Sequence, residues 1–185
     1  MRIITGKAKG KALTAPAGLE TRPTLDRVKE ALFGSIQFDV EGSDVLDLFS
    51  GSGNNGLEAA SRGARKTVLN DRAPQAVSCI RQNAKTTGLS DDVEILQKDF
   101  RDAVLFLAER GDRFDFIFID APFRTGVAAE AADLVFAEGL VKPGGKVFVE
   151  HATGDAPKPV PGLYGIEKTR NYGASSYSVL TRSNE

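Results

Sequence analysis

Residues 44–71 read DVLDLFSGSGNNGLEAASRGARKTVLND, and this stretch decides the predicted fold. An apolar run at 44–49 predicts a buried strand, and GSGNNG at 51–56 predicts a glycine-rich turn. A short helical stretch follows and ends near Gly63, before a second apolar run at 66–71. Two strands joined through a turn and a helix indicate a β-α-β unit, whose strands are parallel.

The same alternation continues towards the C-terminus. Apolar runs predict further strands at 93–99, 114–120 and 144–151. Helical patterns separate them, at 73–88, 100–111 and 127–138. Residues 163–182 instead contain two strand-like runs around a Tyr-Gly pair with no helix between them, which is typical of an antiparallel hairpin. We therefore expect an α/β protein with a mostly parallel sheet, helices on both faces and an antiparallel C-terminal hairpin.

The composition limits the class of protein. The chain has 185 residues, of which 41% are hydrophobic, so a single domain over residues 1–185 with a sizeable core is expected. The net charge of −1 excludes a polycation that coats nucleic acid. Single Cys79 and His151 residues exclude an intrachain disulfide and a histidine-rich metal site. Because we find no signal-like or membrane-spanning apolar run, we expect a cytoplasmic protein without metal or membrane contact.

The N-terminus has a different character from the rest of the chain. Residues 1–16 carry four basic side chains and no acid, and small apolar residues alternate loosely with glycine and lysine. This pattern predicts a basic β-hairpin extension over residues 1–20. The hairpin could be an ordinary solvated surface, or its basic residues could touch phosphates. The residues concerned are Arg2, Lys7, Lys9 and Lys11.

Four aspartates mark the ends of the first four predicted strands. In an open α/β sheet, ligands bind at the carboxyl ends of the strands. A single aspartate there could equally cap a helix or form a turn. Four in succession favour a binding site. The four are Asp47, Asp71, Asp99 and Asp120.

The first three acids fit a nucleoside with a cationic tail. DLFSGSG at 47–53 lacks the third glycine of a dinucleotide-binding loop, and Asp47 disfavours a pyrophosphate, which argues against an NAD-dependent dehydrogenase. An acid there favours an ammonium or a sulfonium, and S-adenosylmethionine has both. Asp71 can accept hydrogen bonds from ribose hydroxyls. Asp99 can accept from an adenine amino group while the Phe100 backbone N–H donates to the ring.

The fourth acid opens the stretch DAPF, residues 120–123. Suppose that S-adenosylmethionine donates its methyl group to an exocyclic amine of a base. The lone pair of that nitrogen is delocalised into the ring, and hydrogen-bond acceptors beside its N–H groups would localise the pair. The Asp120 carboxylate and the Ala121 carbonyl are candidates, Pro122 stiffens the turn, and Phe123 offers a stacking surface. An ordinary proline turn with Phe123 in the core is equally consistent with these four residues.

The order of these motifs resembles that of class I S-adenosylmethionine-dependent methyltransferases that modify amino groups. Further blocks resemble the bacterial 16S ribosomal RNA guanine-N2 methyltransferase family, from Met1 to about Leu180. The most specific block is TRPTLDRVKEALF at 21–33, since generic methyltransferases lack TRPT. The other blocks are MRIITGKAKG at 1–10, DLFSGSGNNGLEAASRGA at 47–64, VEH at 149–151 and NYGASSYSVL at 171–180.

The resemblance implies a seven-stranded, Rossmann-like class I methyltransferase fold and methyl transfer to N2 of a guanine in 16S rRNA or the small ribosomal subunit. It implies S-adenosylmethionine as the cofactor, an RNA-binding surface that includes the basic extension and Arg22, and a segment, Arg22 to Thr24, that closes over cofactor or substrate. We expect a monomer. The implied catalytic residues are Asp120, Ala121, Pro122 and Phe123. The implied cofactor-binding residues are Asp47, Ser50, Gly51, Gly53, Asp71, Asp99 and Phe100.

Two departures from the family pattern matter. Ala121 stands where the family usually has the first of two prolines, which keeps the carbonyl acceptor and removes rigidity. Asn54-Asn55 replaces the small and apolar residues usual after the glycine loop. The stretch DAPF indicates that an amine is methylated but does not indicate which base carries it. A DNA adenine-N6 or other nucleic-acid amino methyltransferase therefore stays an alternative. A non-catalytic cofactor-binding homologue is the other alternative, and Ala121 is the feature that favours it.

Overall fold

The computed structural model describes residues 1–16 and 23–183. Arg22 and residues 17–20 of the predicted basic extension lie outside these ranges, so that extension stays a prediction. None of the helices in the described part of the chain has the length and apolar character that crossing a bilayer requires. Helices and strands alternate in the order α1 Pro23–Gly34, β1 Asp44–Asp47, α2 Asn54–Ser61, β2 Lys66–Asn70, α3 Pro74–Thr87, β3 Val93–Leu96, α4 Phe100–Glu109, β4 Phe114–Ile119, α5 Val127–Ala137, β5 Val141–Ala152, β6 Tyr164–Tyr172 and β7 Ser175–Arg182.

The strands form one seven-stranded sheet in the order β3-β2-β1-β4-β5-β7-β6. Strands β1 to β5 are parallel to their neighbours in this group, whereas β7 is antiparallel to both β5 and β6. This confirms the predicted parallel sheet with an antiparallel C-terminal hairpin. The strand order reverses between β1 and β4, and ligand crevices form at such a reversal, outside the carboxyl ends of the strands.

Apolar side chains cover both faces of the sheet, as expected of parallel strands. Strand β4 shows this by alternation, because successive side chains point to opposite faces. Phe116 and Phe118 belong to the cluster that includes α1, and the Phe118 ring lies 5.4 Å from the Phe33 ring. Ile117 and Ile119 belong to the cluster that includes α4 and α5.

Helix α2 begins three residues earlier than the sequence suggested. The stretch 51–56 was predicted as a turn, but Gly53 already makes the turn with a φ of 82°, and Asn54 starts the helix. Gly56 lies inside α2, where a Cβ would sit 2.5 Å from Leu69. This glycine therefore serves close packing of α2 on β2 and not the loop conformation.

Strand β5 begins at Val141 and not at residue 144. Phe114 pairs with Val141, after which the register shifts and Phe116 pairs with Lys146. A Cβ on Gly145 would lie 2.9 Å from the Lys142 carbonyl oxygen. A glycine inside a strand often marks such an irregularity. Here the residues between Val141 and Lys146 interrupt the apolar pattern, so the sequence does not indicate the early start of the strand.

Candidate functional site

A cavity of about 1170 Å³ opens at the carboxyl ends of the central strands. Most of the residues predicted from the motifs to bind cofactor or to catalyse the reaction line this cavity. Asp47 and Gly53 do not line it, and neither do the described basic residues of the N-terminal segment. The predicted residues that do line it are Ser50, Gly51, Asp71, Asp99, Phe100, Asp120, Ala121, Pro122 and Phe123.

The glycine loop is held in place by Asp71. Its Oδ2 accepts a hydrogen bond from the Gly51 N–H at 3.0 Å, and its Oδ1 accepts from the Ala73 N–H at 2.9 Å. The loop also closes on itself, because the Gly53 N–H donates to the Ser50 carbonyl at 2.7 Å. Since a carboxylate offers about four lone-pair sites, Asp71 keeps acceptor capacity for ligand hydroxyls.

Asp47 lies behind the loop and not in the cavity wall. It is 1% exposed, and its Oδ2 accepts from the Gly56 N–H in the first turn of α2 at 2.9 Å. Its Oδ1 has no hydrogen-bond partner among the described residues. Burial, reinforced by the nearby Asp71 charge, raises the pKa of Asp47 to about 7. Direct contact with a cofactor stays a prediction, while its observed contact fixes the start of α2.

The third acid caps a helix at the cavity edge. Asp99 Oδ1 accepts from the Arg101 N–H at 3.1 Å, which is an N-cap bond for α4. Phe100 packs against Phe49 with ring centroids 5.3 Å apart. The Arg101 guanidinium lies 4.4 Å from the Phe100 ring centroid and binds both carboxylate oxygens of Glu130, at 2.6 and 2.7 Å. This edge of the cavity therefore carries the Phe49 and Phe100 rings, and the Arg101–Glu130 ion pair joins α4 to α5.

The stretch 120–123 forms another wall of the cavity. Asp120 is open to the cavity, Ala121 is buried, and the Phe123 side chain is 41% exposed, which removes the interpretation of Phe123 as a core residue. The restricted hydration around Asp120 raises its pKa well above the ordinary value, and the charges of Glu150 and Asp47 add to the rise. Beyond Phe123, Arg124 adopts a left-handed conformation with φ 59°, which is uncommon outside glycine.

A second cavity of about 750 Å³ lies on the other side of this stretch. Residues 121–124, Glu150 and Ala152 line both cavities, so the stretch stands at their junction. Glu150 is a site residue that the sequence motifs did not indicate. Its carboxyl is half-buried, its Oε1 accepts from the Ser175 hydroxyl at 3.0 Å, and desolvation raises its pKa. A local signal was present, because Glu150 ends an apolar run as Asp120 does, but its position beside Asp120 depends on the strand order.

The basic residues of the N-terminal segment lie apart from the cavities. Lys7 pairs with Asp92 at 2.6 Å, and Lys11 Nζ donates to the Thr87 carbonyl at 2.7 Å. Arg2 and Lys9 are exposed. Two of the four are thus bound to other parts of the protein, although each stays at the surface, and their contact with RNA stays a prediction.

His151 lines the smaller cavity and hydrogen-bonds within the sheet. It is buried, and its Nε2 lies 2.9 Å from the Ser178 hydroxyl on β7, while Nδ1 lies 2.8 Å from the Ala152 carbonyl oxygen. The ring joins the last parallel strand to the antiparallel hairpin.

Comparison with known proteins gives matches over nearly the whole chain. Residues 1–181 match the family described as Conserved hypothetical protein 95. The chain is 36% identical over 185 residues to "Putative rRNA methyltransferase YlbH" of Bacillus subtilis, covering 98% of this chain and 99% of that protein. It is 32% identical over 180 residues to Ribosomal RNA small subunit methyltransferase D of Haemophilus influenzae, covering 97% and 92%.

A solved structure agrees with these sequence matches. "Putative methyltransferase yhhF" of Escherichia coli superposes with a TM-score of 0.84 at 28% sequence identity, covering 100% of this chain and 99% of that one. The fold is therefore that of class I methyltransferases, as the motif order predicted.

Proposed function

Since the chain belongs to the Conserved hypothetical protein 95 family together with these rRNA methyltransferases, we propose that it transfers a methyl group from S-adenosylmethionine to N2 of a guanine in 16S rRNA. The observation that carries this proposal is the position of the catalytic stretch: Asp120 lines the larger cavity, and residues 121–123 line both cavities. The larger cavity contains the glycine loop and two of its acids, and the acceptor base would enter where the two cavities meet.

The residues present fit the cofactor. A cavity of about 1170 Å³ is large enough for a nucleoside, a base and the reacting groups. Burial raises the pKa values of Asp120 and Glu150, which line the cavity, and of Asp47 behind the loop, so a cation in the cavity would favour the ionised forms of these acids. A phosphate would meet the same acids unfavourably. Asp71 would hold the ribose, and Asp99 with Phe100 would hold the adenine.

The protein's own part in the reaction is to position and polarise the amine. When bound, the cofactor supplies an electrophilic methyl group on a sulfonium. The Asp120 carboxylate and the Ala121 carbonyl accept hydrogen bonds from the amine and so localise its lone pair. The raised pKa of Asp120 makes its ionised form a better proton acceptor than an ordinary aspartate. Phe123, exposed at the rim, stacks on the base once that base leaves its helix.

The RNA enters this proposal as a partner held mainly through its phosphates. Arg2, Lys7, Lys9 and Lys11, with Arg22, supply positive charge for backbone contact, which gives affinity without reading sequence. The acidic whole-chain balance of −1 suits an already folded ribosomal target better than free nucleic acid. We place the protein in the cytoplasm as a monomer that acts on the small subunit.

The test is a labelling experiment. Purified protein, labelled S-adenosylmethionine and small subunits lacking the modification should yield N2-methylguanosine after digestion of the RNA. Asp120→Ala should abolish the label while calorimetry still detects cofactor binding. Label in adenine of DNA would instead identify a DNA amino methyltransferase. Cofactor binding without any label in RNA or DNA would identify a non-catalytic homologue.

A further inference from the structure

We propose that Glu150 determines the specificity for guanine. Its carboxylate would accept a hydrogen bond from the N1–H of the base whose amino group is held by Asp120. This inference rests on the function proposed above and adds to it a residue that reads the base. It starts from a pair of carboxyl groups at one edge of the sheet, only one of which the catalytic stretch explains.

The strand register brings the two carboxyl groups side by side. Strands β4 and β5 are parallel, and Ile119 pairs with Val149. Asp120 and Glu150 are the next residues on each strand, and residues in equivalent positions of neighbouring parallel strands point to the same face. Both line the larger cavity, and Glu150 also lines the smaller one. A base that enters beside Asp120 therefore also meets Glu150.

One oxygen of Glu150 is held and the other is available. The Ser175 hydroxyl on β7 donates to Oε1 at 3.0 Å. Among the residues that the structure describes, no other side chain hydrogen-bonds this carboxyl group. A hydroxyl that donates to a carboxylate favours its ionised form, and the cavity side of the group keeps its acceptor sites for a ligand.

The chemistry of the bases makes this arrangement selective. In guanine the N2 amine stands next to an N1–H, so the edge presents donors to two neighbouring carboxylates. In adenine and cytosine the ring nitrogen next to the amine is an acceptor, which a carboxylate repels. A site whose buried acceptor is left unpaired rejects the wrong ligand strongly. Asp120 would thus recognise the amine, and Glu150 would exclude bases that carry an amine beside a bare ring nitrogen.

The experiment compares two acceptors that differ at this atom. The guanine that the wild-type protein methylates is first located in the small subunit. Subunits are then assembled with guanine or 2-aminopurine at that position, since 2-aminopurine keeps the 2-amine and has no N1–H. We expect the wild type to prefer guanine in kcat/KM by at least about tenfold, which corresponds to about 1.4 kcal/mol for a good base contact. Glu150→Gln should reduce this preference to less than about threefold, because the amide can also donate to a bare nitrogen.

Two further variants separate the role from a loss of folding. Glu167→Gln makes the same chemical change at an exposed position of β6 that pairs with Lys146, and it should keep the wild-type preference. Ser175→Ala leaves the Glu150 carboxylate in place without its anchor, and it should give an intermediate preference. Thermal unfolding verifies that each variant is folded before rates are compared.

The outcomes distinguish the two proposals. If the wild type produces no N2-methylguanosine, the proposed function itself is wrong. If it produces N2-methylguanosine but methylates both acceptors equally, or if Glu150→Gln keeps the full preference for guanine, then only the role of Glu150 is wrong.

Discussion

At the scale of single residues, Ala121 tests how much rigidity the catalytic stretch needs. This residue is 2% exposed, and Pro122 after it already restricts its backbone to extended conformations. We predict that Ala121→Pro gives equal or higher kcat, because a second proline fixes one more dihedral angle and leaves the carbonyl acceptor in place. Initial rates of methyl transfer to small subunits measure this. Ala121→Gly is the matched control and should be slower than the wild type; a proline variant slower than the wild type would contradict the prediction.

Asp71 combines a ligand contact with support of the glycine loop. We predict that Asp71→Ala weakens S-adenosylmethionine binding by about tenfold or more, since it removes an acceptor for the ribose and the bonds to Gly51 and Ala73. Methyl transfer at saturating cofactor should fall much less. Calorimetry gives the affinity, and Asp91→Ala, at an exposed aspartate before β3, is the control. Unchanged affinity in Asp71→Ala would refute the ribose assignment.

Lys29 shows what the sequence could not reveal about single residues. The helical pattern of Val28, Leu32 and Ile36 predicts an apolar stripe, and these three side chains are indeed buried. Lys29 is only 2% exposed as well, because the N-terminal segment covers it. Its Nζ donates to the Arg2 carbonyl and to Asn54 Oδ1, at 2.7 Å each. When a segment distant in sequence covers a side chain, the local pattern of apolar residues does not show it. A lysine in such a position is therefore predicted to lie at the surface.

At the scale of elements, Glu58 on α2 joins three segments of the chain. It is fully buried and accepts hydrogen bonds from the Ile4 and Thr5 N–H groups at 2.8 and 3.0 Å. Lys29 on α1 pairs with it at 3.3 Å and Arg62 at 2.8 Å. A carboxylate with this many partners fixes the N-terminal segment and α1 against α2, beside the cavity that Lys29 and Asn54 line.

The network predicts an order of stabilities. Glu58→Ala should lower the free energy of unfolding by about 3–5 kcal/mol, because it leaves Lys29 buried without its counter-charge and two backbone donors unpaired. Lys29→Met should cost less, since Glu58 keeps Arg62 and both backbone N–H donors. Urea unfolding at neutral pH measures both variants. Equal losses, or a larger loss for Lys29→Met, would show that Glu58 is not the centre of the network.

Strands and helices that have a local sequence pattern could be predicted, whereas features that depend on the pairing of strands could not. Alternating apolar runs and helical patterns located the strands and helices, and Gly88 ends α3 with a left-handed φ of 75°, as a glycine stop should. The early start of β5 was missed because a register shift interrupts its pattern. Glu150 was missed for a related reason: its place beside Asp120 depends on which strands are neighbours, and the sequence does not state the strand order.

At the scale of the whole molecule, three adjacent strands bring their carboxyl groups to one end of the sheet. The groups of Asp47, Asp120 and Glu150 lie at or near the carboxyl ends of β1, β4 and β5, which are neighbours in the strand order. All three have pKa values above the ordinary range, chiefly through desolvation and partly through mutual repulsion for Asp120. The protein therefore holds protons at neutral pH that a bound cation would displace. The other charged groups that line the cavity are Lys29, Asp71, Arg72, Lys98, Asp99, Arg101 and Arg124.

This charge distribution predicts that discrimination between cofactor and product depends on pH. S-adenosylmethionine carries a sulfonium charge that S-adenosylhomocysteine lacks, and only ionised acids attract it. Because the pKa of Asp47 is about 7, its ionisation increases between pH 6 and pH 8. The ratio of the two affinities should rise over this range by about fivefold, corresponding to about 1 kcal/mol for a charge pair partly screened by water.

Calorimetry at pH 6, 7 and 8 gives both affinities, and buffers with different ionisation enthalpies give the number of protons released. By linkage, a ligand that favours the ionised acids must release protons when it binds. We expect proton release with S-adenosylmethionine at pH 7 and less with S-adenosylhomocysteine, which would then leave more readily after transfer. Asp47→Asn removes the group that titrates in this range and should reduce both the release and the pH dependence. An affinity ratio that stays constant from pH 6 to 8 would mean that the sulfonium binds beyond the reach of these acids, and the electrostatic part of the proposed cofactor site would have to be abandoned.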